Sequence, residues 1–173
     1  MKKQFVLFGI YLIIGSSIFL LVRAVNDQER QSERQMIMEQ TFPAIELTSL
    51  NGDQHNTKVL LDSAIFKVLV LFDPECDHCR EEFNDISANI DKFHRAVVLF
   101  ISPKSLPDLK LFAFDGKYPE HQKFIYNIGY DELLKYFKCK AFPETYIYNK
   151  AGKLIKSFRG RIDSNKILSL ITV

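Results

Sequence analysis

The chain has 173 residues and a mass of 20.1 kDa, enough for one ordinary domain and little beyond it. Hydrophobic residues make up 47% and charged ones 25%, a composition that argues against a collagenous, coiled-coil or wholly disordered chain. Lys2 and Lys3 supply the whole formal excess of +2, so the body lacks the basic balance that a nucleic-acid partner demands.

The first predicted element is a membrane signal. Residues 5–22, FVLFGIYLIIGSSIFLLV, contain no Asp, Glu, Lys, Arg or His. As a helix the run measures about 27 Å, near the roughly 30 Å of a bilayer's hydrocarbon core. Lys2 and Lys3 precede it, which makes residues 1–4 a cytoplasmic tip and sends everything after the span outward. The chain is thus expected in the inner membrane, single-pass, with its C-terminal domain on the periplasmic or extracytoplasmic side. The run exceeds a usual signal-peptide core, which favours a retained anchor. Cleavage after Ala24 is the alternative, and either outcome exports the body. Residues 23–41 read as a stalk, in which 26–40 are good helix formers with almost no core-forming residues before Met36, closed by Thr41-Phe42-Pro43 at the start of a domain spanning 42–173.

Within the domain, strands and helices alternate. Residues 44–47 are a short strand before a turn at Asn51-Gly52-Asp53. Residues 67–72 (KVLVLF) and 95–101 (RAVVLFI) have the continuous apolar character of buried strands. Between them, helical spacing puts Phe83, Ile86 and Ile90 on one side. Ser105 and Asp108 form a capping box for a helix that turns Leu106, Leu109, Phe112 and Ala113 inward. A third strand is expected at 123–126, then a helix at 130–137 burying Leu133, Leu134 and Phe137. Strands at 144–149 and 154–159 flank Asn149-Lys150-Ala151-Gly152, the pattern of an antiparallel hairpin. Asp163 or Ser164 caps the last helix, with Ile167, Leu168 and Ile171 inward. The whole reads as α/β, a central mixed sheet flanked by helices on both faces, behind an N-terminal transmembrane helix.

The chemistry lies in Cys76-Asp77-His78-Cys79, a C-x-x-C at a strand-to-helix transition. A thiol at a helix N-terminus gains thiolate character from unpaired amides and the helix dipole. A second thiol one turn later can resolve a mixed disulfide formed by the first. Cys76 is therefore the nucleophile and Cys79 the resolving thiol. His78, when protonated, adds positive charge to the loop, while Asp77 opposes it. By itself the pair also fits an inert disulfide, or part of a metal site completed by Cys139, His78 or His121, with copper the more reasonable metal. Cys139 stands outside the pair and reads as a small buried hydrophobe. Tyr126, Phe142 and Tyr146 are candidate groove residues.

At these residues the chain resembles the TlpA/ResA type of membrane-tethered, exported thioredoxin-like thiol–disulfide oxidoreductases. The resemblance covers 42–173 and rests on Cys76, Cys79, Arg80 and Glu82, on Pro143 within Ala141-Phe142-Pro143-Glu144-Thr145, and on the hairpin that follows. It implies a thioredoxin-like fold, a redox-active Cys76–Cys79 disulfide, a cis Pro143 that with Phe142 shapes the substrate groove, and Glu82 as proton acceptor for Cys79. The segment 106–137 resembles the insertion that sets this group apart from plain thioredoxin. Implied partners are exported proteins with cysteines or disulfides and a membrane electron-transfer protein; no cofactor and no metal is implied. Reduction of client cysteines is the commoner direction in the family. The alternative is a non-catalytic binding protein of the same fold for peptide or copper. The chain departs from the family at Pro74-Glu75, where a Trp is usual before the first Cys, and at His78, where a Pro is usual; His78 is similar to oxidising, DsbA-type members. Val70 stands where plain thioredoxin has a buried acid, and Asp73 where peroxiredoxins have Thr.

Overall fold

A computed structural model of the chain describes residues 15–17, 19–23, 41–61, 65–115, 123–139 and 141–171. The chain divides into two units, Met1–Met38 and Glu39–Val173. In the first, the described residues are helical, with Phe19, Leu20, Leu21 and Val22 exposed. Most of the expected span 5–22 and of the stalk lies outside the described residues. Among those described, no helix is long and apolar enough to cross a membrane.

The second unit is built on a seven-stranded sheet. Its elements in chain order are β1 (Glu46–Ser49), β2 (Gln54–Asn56), α1 (Thr57–Leu60), β3 (Phe66–Leu71), α2 (Asp77–Ala88), a 3-10 turn (Ile90–Phe93), β4 (Ala96–Ser102), α3 (Leu106–Asp115), β5 (Ile125–Asn127), α4 (Tyr130–Phe137), β6 (Glu144–Tyr148), β7 (Leu154–Arg159) and α5 (Ser164–Ile171). The strand order is β2-β1-β5-β4-β3-β6-β7. β3, β4 and β5 are parallel, Val70 opposite Phe100 and Ile101 opposite Tyr126. The remaining pairings are antiparallel, so the sheet is mixed.

The run 67–72 forms a strand because β3 is central and buried at every position. Successive residues of a strand point to opposite faces, and β3 divides the core accordingly. Val68, Val70 and Phe72 join Phe83 and Ile86 of α2, Leu109 and Phe112 of α3, and Ile167 and Ile171 of α5. Leu69 and Leu71 join Leu47, Leu133, Phe137, Tyr146 and Tyr148 on the other face. Lys67, at the strand's start, is buried but sends its ammonium to the Lys150 carbonyl, 3.3 Å away in the hairpin turn. In that turn Gly152 takes φ +76°, and a Cβ there would lie 3.2 Å from Phe42 Cβ.

Several expectations shift in detail. The strand expected at 123–126 is β5, which starts two residues later and ends one later, and β2 and α1 have no counterpart in the sequence reading. At the Ser105–Asp108 cap, Ser105 Oγ accepts from the Asp108 N–H at 3.4 Å and donates to Asp108 Oδ2 at 2.6 Å, in place of the reciprocal backbone bond of a full box. Ile90 falls in the 3-10 turn after α2 rather than in the helix. Leu134 is 37% exposed rather than buried, because the short α4 turns only Leu133 and Phe137 onto the sheet. Asp163 precedes α5 at the cap position, its carbonyl accepting from the Lys166 and Ile167 N–H groups at 2.9 and 3.4 Å, and Asp85 Oδ2 adds a bond from the Ser164 N–H at 2.6 Å.

Candidate functional site

The strand-to-helix transition after β3 places Cys76 at the N-cap of α2, in extended backbone with φ −88° and ψ 121°. No side chain caps this helix, so its first N–H groups are left for the cysteine and whatever approaches it. The Cys76 carbonyl takes the first helical bond, from Arg80 N–H at 3.1 Å, and its own N–H donates to the Asp73 carbonyl at 3.1 Å. Its thiol is half-buried and directed at the Phe142 carbonyl, 3.8 Å away. Phe142 precedes Pro143 through a cis peptide bond, and the contact with Cys76 sets this loop before β6 against the start of α2.

Cys79, one turn into the helix, is 1% exposed. Burial pushes its thiol far above the ordinary range, and the neighbouring Cys76 adds to that. All three cysteines are free thiols in this structure. The two thiols of the motif therefore differ in kind, one at the edge and one enclosed.

Glu82 lies one further turn along the same face and is fully buried. Its Oε1 accepts from Thr145 Oγ1 at 2.6 Å and its Oε2 from the Ile162 N–H at 3.2 Å. Burial raises its pKa, and those two bonds only partly oppose the rise. Thr145 and the Ile162 amide belong to the site's architecture but not to the motif. Strand alternation from Pro143 is the signal that would have found Thr145, since it shares a face with Ile147.

The remaining motif residues serve the rim. His78 is 74% exposed and turns to Glu81 Oε2 at 3.7 Å. Asp77 is exposed in the first helical turn, where an acid favours the helix. Arg80 donates from Nε to the Pro74 carbonyl at 2.6 Å and lays its guanidinium over Phe112 at 5.6 Å. Lys104, from the loop after β4, reaches Glu75 Oε2 at 2.5 Å and Asp73 Oδ2 at 3.5 Å.

The structure brings Cys76, Cys79, Phe142 and Pro143 together and leaves Cys139 apart. Cys139 belongs to the core on the sheet's other face, with Phe137 and Tyr146. Burial, and then Glu144, push its thiol up to about 11. Tyr126 and Tyr146 also sit in that opposite core and not in a groove at the dithiol. Tyr146 gives its hydroxyl to Glu144 Oε2 at 2.7 Å. A cavity of about 540 Å³ on this side is lined by Phe137, Glu144, Tyr146 and Arg159 among others, none of them in the motif. His121 lies outside the described residues. Among the described residues there is no group of three or more His, Cys, Asp or Glu that could hold a metal ion.

No family model and no curated protein matches the sequence. Solved structures do match the fold. DsbF of Mycobacterium tuberculosis superposes with a TM-score of 0.64 at 18% identity, covering 76% of this chain and 98% of that one. The pneumococcal exposed lipoprotein thioredoxin Etrx1 of Streptococcus pneumoniae gives 0.61 at 19% identity, over 75% and 98%. A thioredoxin-family thiol:disulfide interchange protein of Chlorobium tepidum gives 0.62 at 16% identity, over 78% and 94%. The domain therefore has the thioredoxin-like fold, with a C-x-x-C pair whose geometry is consistent with a thiol–disulfide oxidoreductase site.

Proposed function

We propose that this chain is a thiol–disulfide oxidoreductase of the TlpA/ResA type, tethered to the membrane by residues 5–22 and acting on cysteines of exported proteins. The observation that carries the reading is the contrast between Cys76, half-buried at the uncapped N-terminus of α2, and Cys79, enclosed one turn behind it. That contrast suits a two-step exchange. In the reducing direction, the Cys76 thiolate attacks a client disulfide, a Cys76–client bond forms, and one client sulfur leaves as thiolate. Cys79 then gives up its proton and attacks Cys76 Sγ. The second client sulfur departs as a thiol and the Cys76–Cys79 disulfide remains. Two electrons pass to the client, and a membrane-borne dithiol partner must return them. The oxidising direction runs the same bonds in reverse.

Glu82 is the proton acceptor for Cys79 in this scheme. Each of its oxygens already accepts one hydrogen bond, and each keeps a second lone pair. A carboxyl held above its ordinary range is closer to a thiol in proton affinity, which suits it to the exchange. Phe142 and Pro143 form the wall a client backbone meets beside Cys76, while Asp77 and His78 edge it. No cofactor enters the scheme.

Trapping tests the reading. Cys79→Ala should accumulate client proteins covalently bound through Cys76, and Cys76→Ala should accumulate few, in either redox direction. Non-reducing electrophoresis with mass spectrometry of the bonded cysteine measures the asymmetry. Equal trapping in both variants, or trapping in Cys76→Ala alone, overturns the assignment.

A further inference from the structure

Lys104 stands apart from the motif in sequence, yet its side chain ends at it. The ammonium meets Glu75 Oε2 at 2.5 Å and Asp73 Oδ2 at 3.5 Å, bridging two carboxylates on the approach to Cys76. Asp73 shapes that approach, because its Oδ1 accepts from the Glu75 N–H at 2.9 Å and its carbonyl from the Cys76 N–H. Lys104 is itself held at the backbone. Its carbonyl accepts from Asn127 Nδ2 of β5 at 2.6 Å, and its N–H donates to the buried Ser102 Oγ at 3.3 Å. A cation anchored to two central strands is thus fixed over the acidic turn.

The other charged groups at this mouth are engaged elsewhere. His78 turns to Glu81, which also meets Arg161 at 3.3 Å, and Arg80 serves the Pro74 carbonyl and the Phe112 ring. Asp77 adds negative charge, and the facing loop brings the Phe142 carbonyl to 3.8 Å from Cys76 Sγ. Lys104 is the cation that offsets Asp73 and Glu75.

We propose that Lys104 is a positioning residue of the dithiol, holding the Cys76–Cys79 couple at a more oxidising poise than Asp73 and Glu75 alone would set. The proposal rests on the redox reading of the two cysteines. The disulfide is neutral, while the reduced pair carries negative charge whenever Cys76 ionises. Two adjacent carboxylates disfavour that charge and a cation beside them restores it, so Lys104 stabilises the reduced form relative to the disulfide.

The test is the equilibrium of the purified full chain in detergent with glutathione, at about pH 8, where ordinary thiols begin to ionise. One dithiol and one oxidised glutathione give the Cys76–Cys79 disulfide and two reduced glutathione, so electrons and protons balance. Rapid alkylation and mass spectrometry read the fraction oxidised. Lys104→Met should raise the constant for disulfide formation by roughly 2- to 5-fold, and Lys104→Arg should stay within about 2-fold of the parent. Glu75→Gln should shift it the opposite way, and Lys104→Met with Glu75→Gln should return it toward the parent value. An unchanged constant in folded Lys104→Met, or shifts of the same sign in Lys104→Met and Glu75→Gln, overturns the proposal while leaving the redox reading intact. A parent chain that forms no reversible Cys76–Cys79 disulfide overturns both.

Discussion

Glu82 of α2 and Thr145 of β6 are joined by a buried hydrogen bond of 2.6 Å between Oγ1 and Oε1. The bond pins the helix that carries the dithiol to the strand that follows the cis proline. The two arms of the site, α2 and the loop at Pro143, therefore share one polar fastening inside an apolar core.

Replacing Thr145 should expose the worth of that fastening. In Thr145→Val the shape is nearly kept, but Glu82 loses a donor in a place water does not reach. The expected loss is about 1–3 kcal/mol, the penalty of an unmatched buried polar group. Thr145→Ser keeps the hydroxyl and should recover most of it. Urea unfolding of both variants reads the difference; a Val variant as stable as the parent would show that the bond contributes nothing.

Glu82 should also leave a mark on the pH dependence of stability. Its folded-state pKa lies above the ordinary value of 4.5, first because burial disfavours the carboxylate. The folded chain thus binds this proton more tightly than the unfolded chain does. Stability from that source is fully present below the unfolded pKa and is lost as pH rises through the folded one. Glu82→Gln cannot ionise, so its melting temperature relative to the parent should climb as pH rises above the unfolded value of 4.5. A flat difference above that value would show that the carboxyl is not displaced.

How much of this was legible in the sequence depended on how local the determinant was. The hairpin at Asn149–Gly152, the Ser105 cap of α3 and the helix at Tyr130–Phe137 rest on signals within a few residues, and all three are formed. β2 could not be read, because Gln54–Asn56 is polar and gains its place only by pairing with β1. Leu134 was misjudged because an eight-residue helix with neighbouring leucines does not declare which one faces inward. Tyr146 was misjudged although strand parity speaks against it, Thr145 and Ile147 occupying the dithiol's face. Lys104 carries no local signal. It meets Asp73 and Glu75 only because the parallel pairing of β3 and β4 brings the two strand ends together.

Membrane attachment has its own measurement. With residues 5–22 as a retained anchor behind Lys2 and Lys3, the full chain should sediment with membranes and resist carbonate extraction. Protease outside an intact cytoplasmic membrane should digest residues 42–173. Protection of that domain alongside a cytoplasmic control would reverse the topology, and a soluble chain beginning after Ala24 would mean cleavage.

Cys139 should behave as a third thiol with no part in exchange. It is 8% exposed, its Sγ sits 3.4 Å from the Ala141 carbonyl, and it packs with Phe137 and Tyr146 across the sheet from Cys79. Burial raises its pKa to about 11, and the nearby Glu144 adds to the effect. At about pH 8 its thiolate is then roughly a thousandth of the population, so iodoacetamide should label Cys76 well before Cys139 in the native chain. Unfolding in urea should abolish the protection. The linkage runs the same way as for any group whose folded pKa is raised: the contribution is present below the unfolded value of 9.0 and is lost as pH rises toward about 11. Cys139→Ala should remove that alkaline decline and keep most disulfide exchange, with a stability loss of about 1 kcal/mol for the lost sulfur contacts. Cys139→Ser should keep exchange as well, its hydroxyl inheriting the Ala141 carbonyl as acceptor. A folded Cys139→Ala protein without exchange would place the third thiol on the path of electrons, and the separation of the two cores would no longer describe the chemistry.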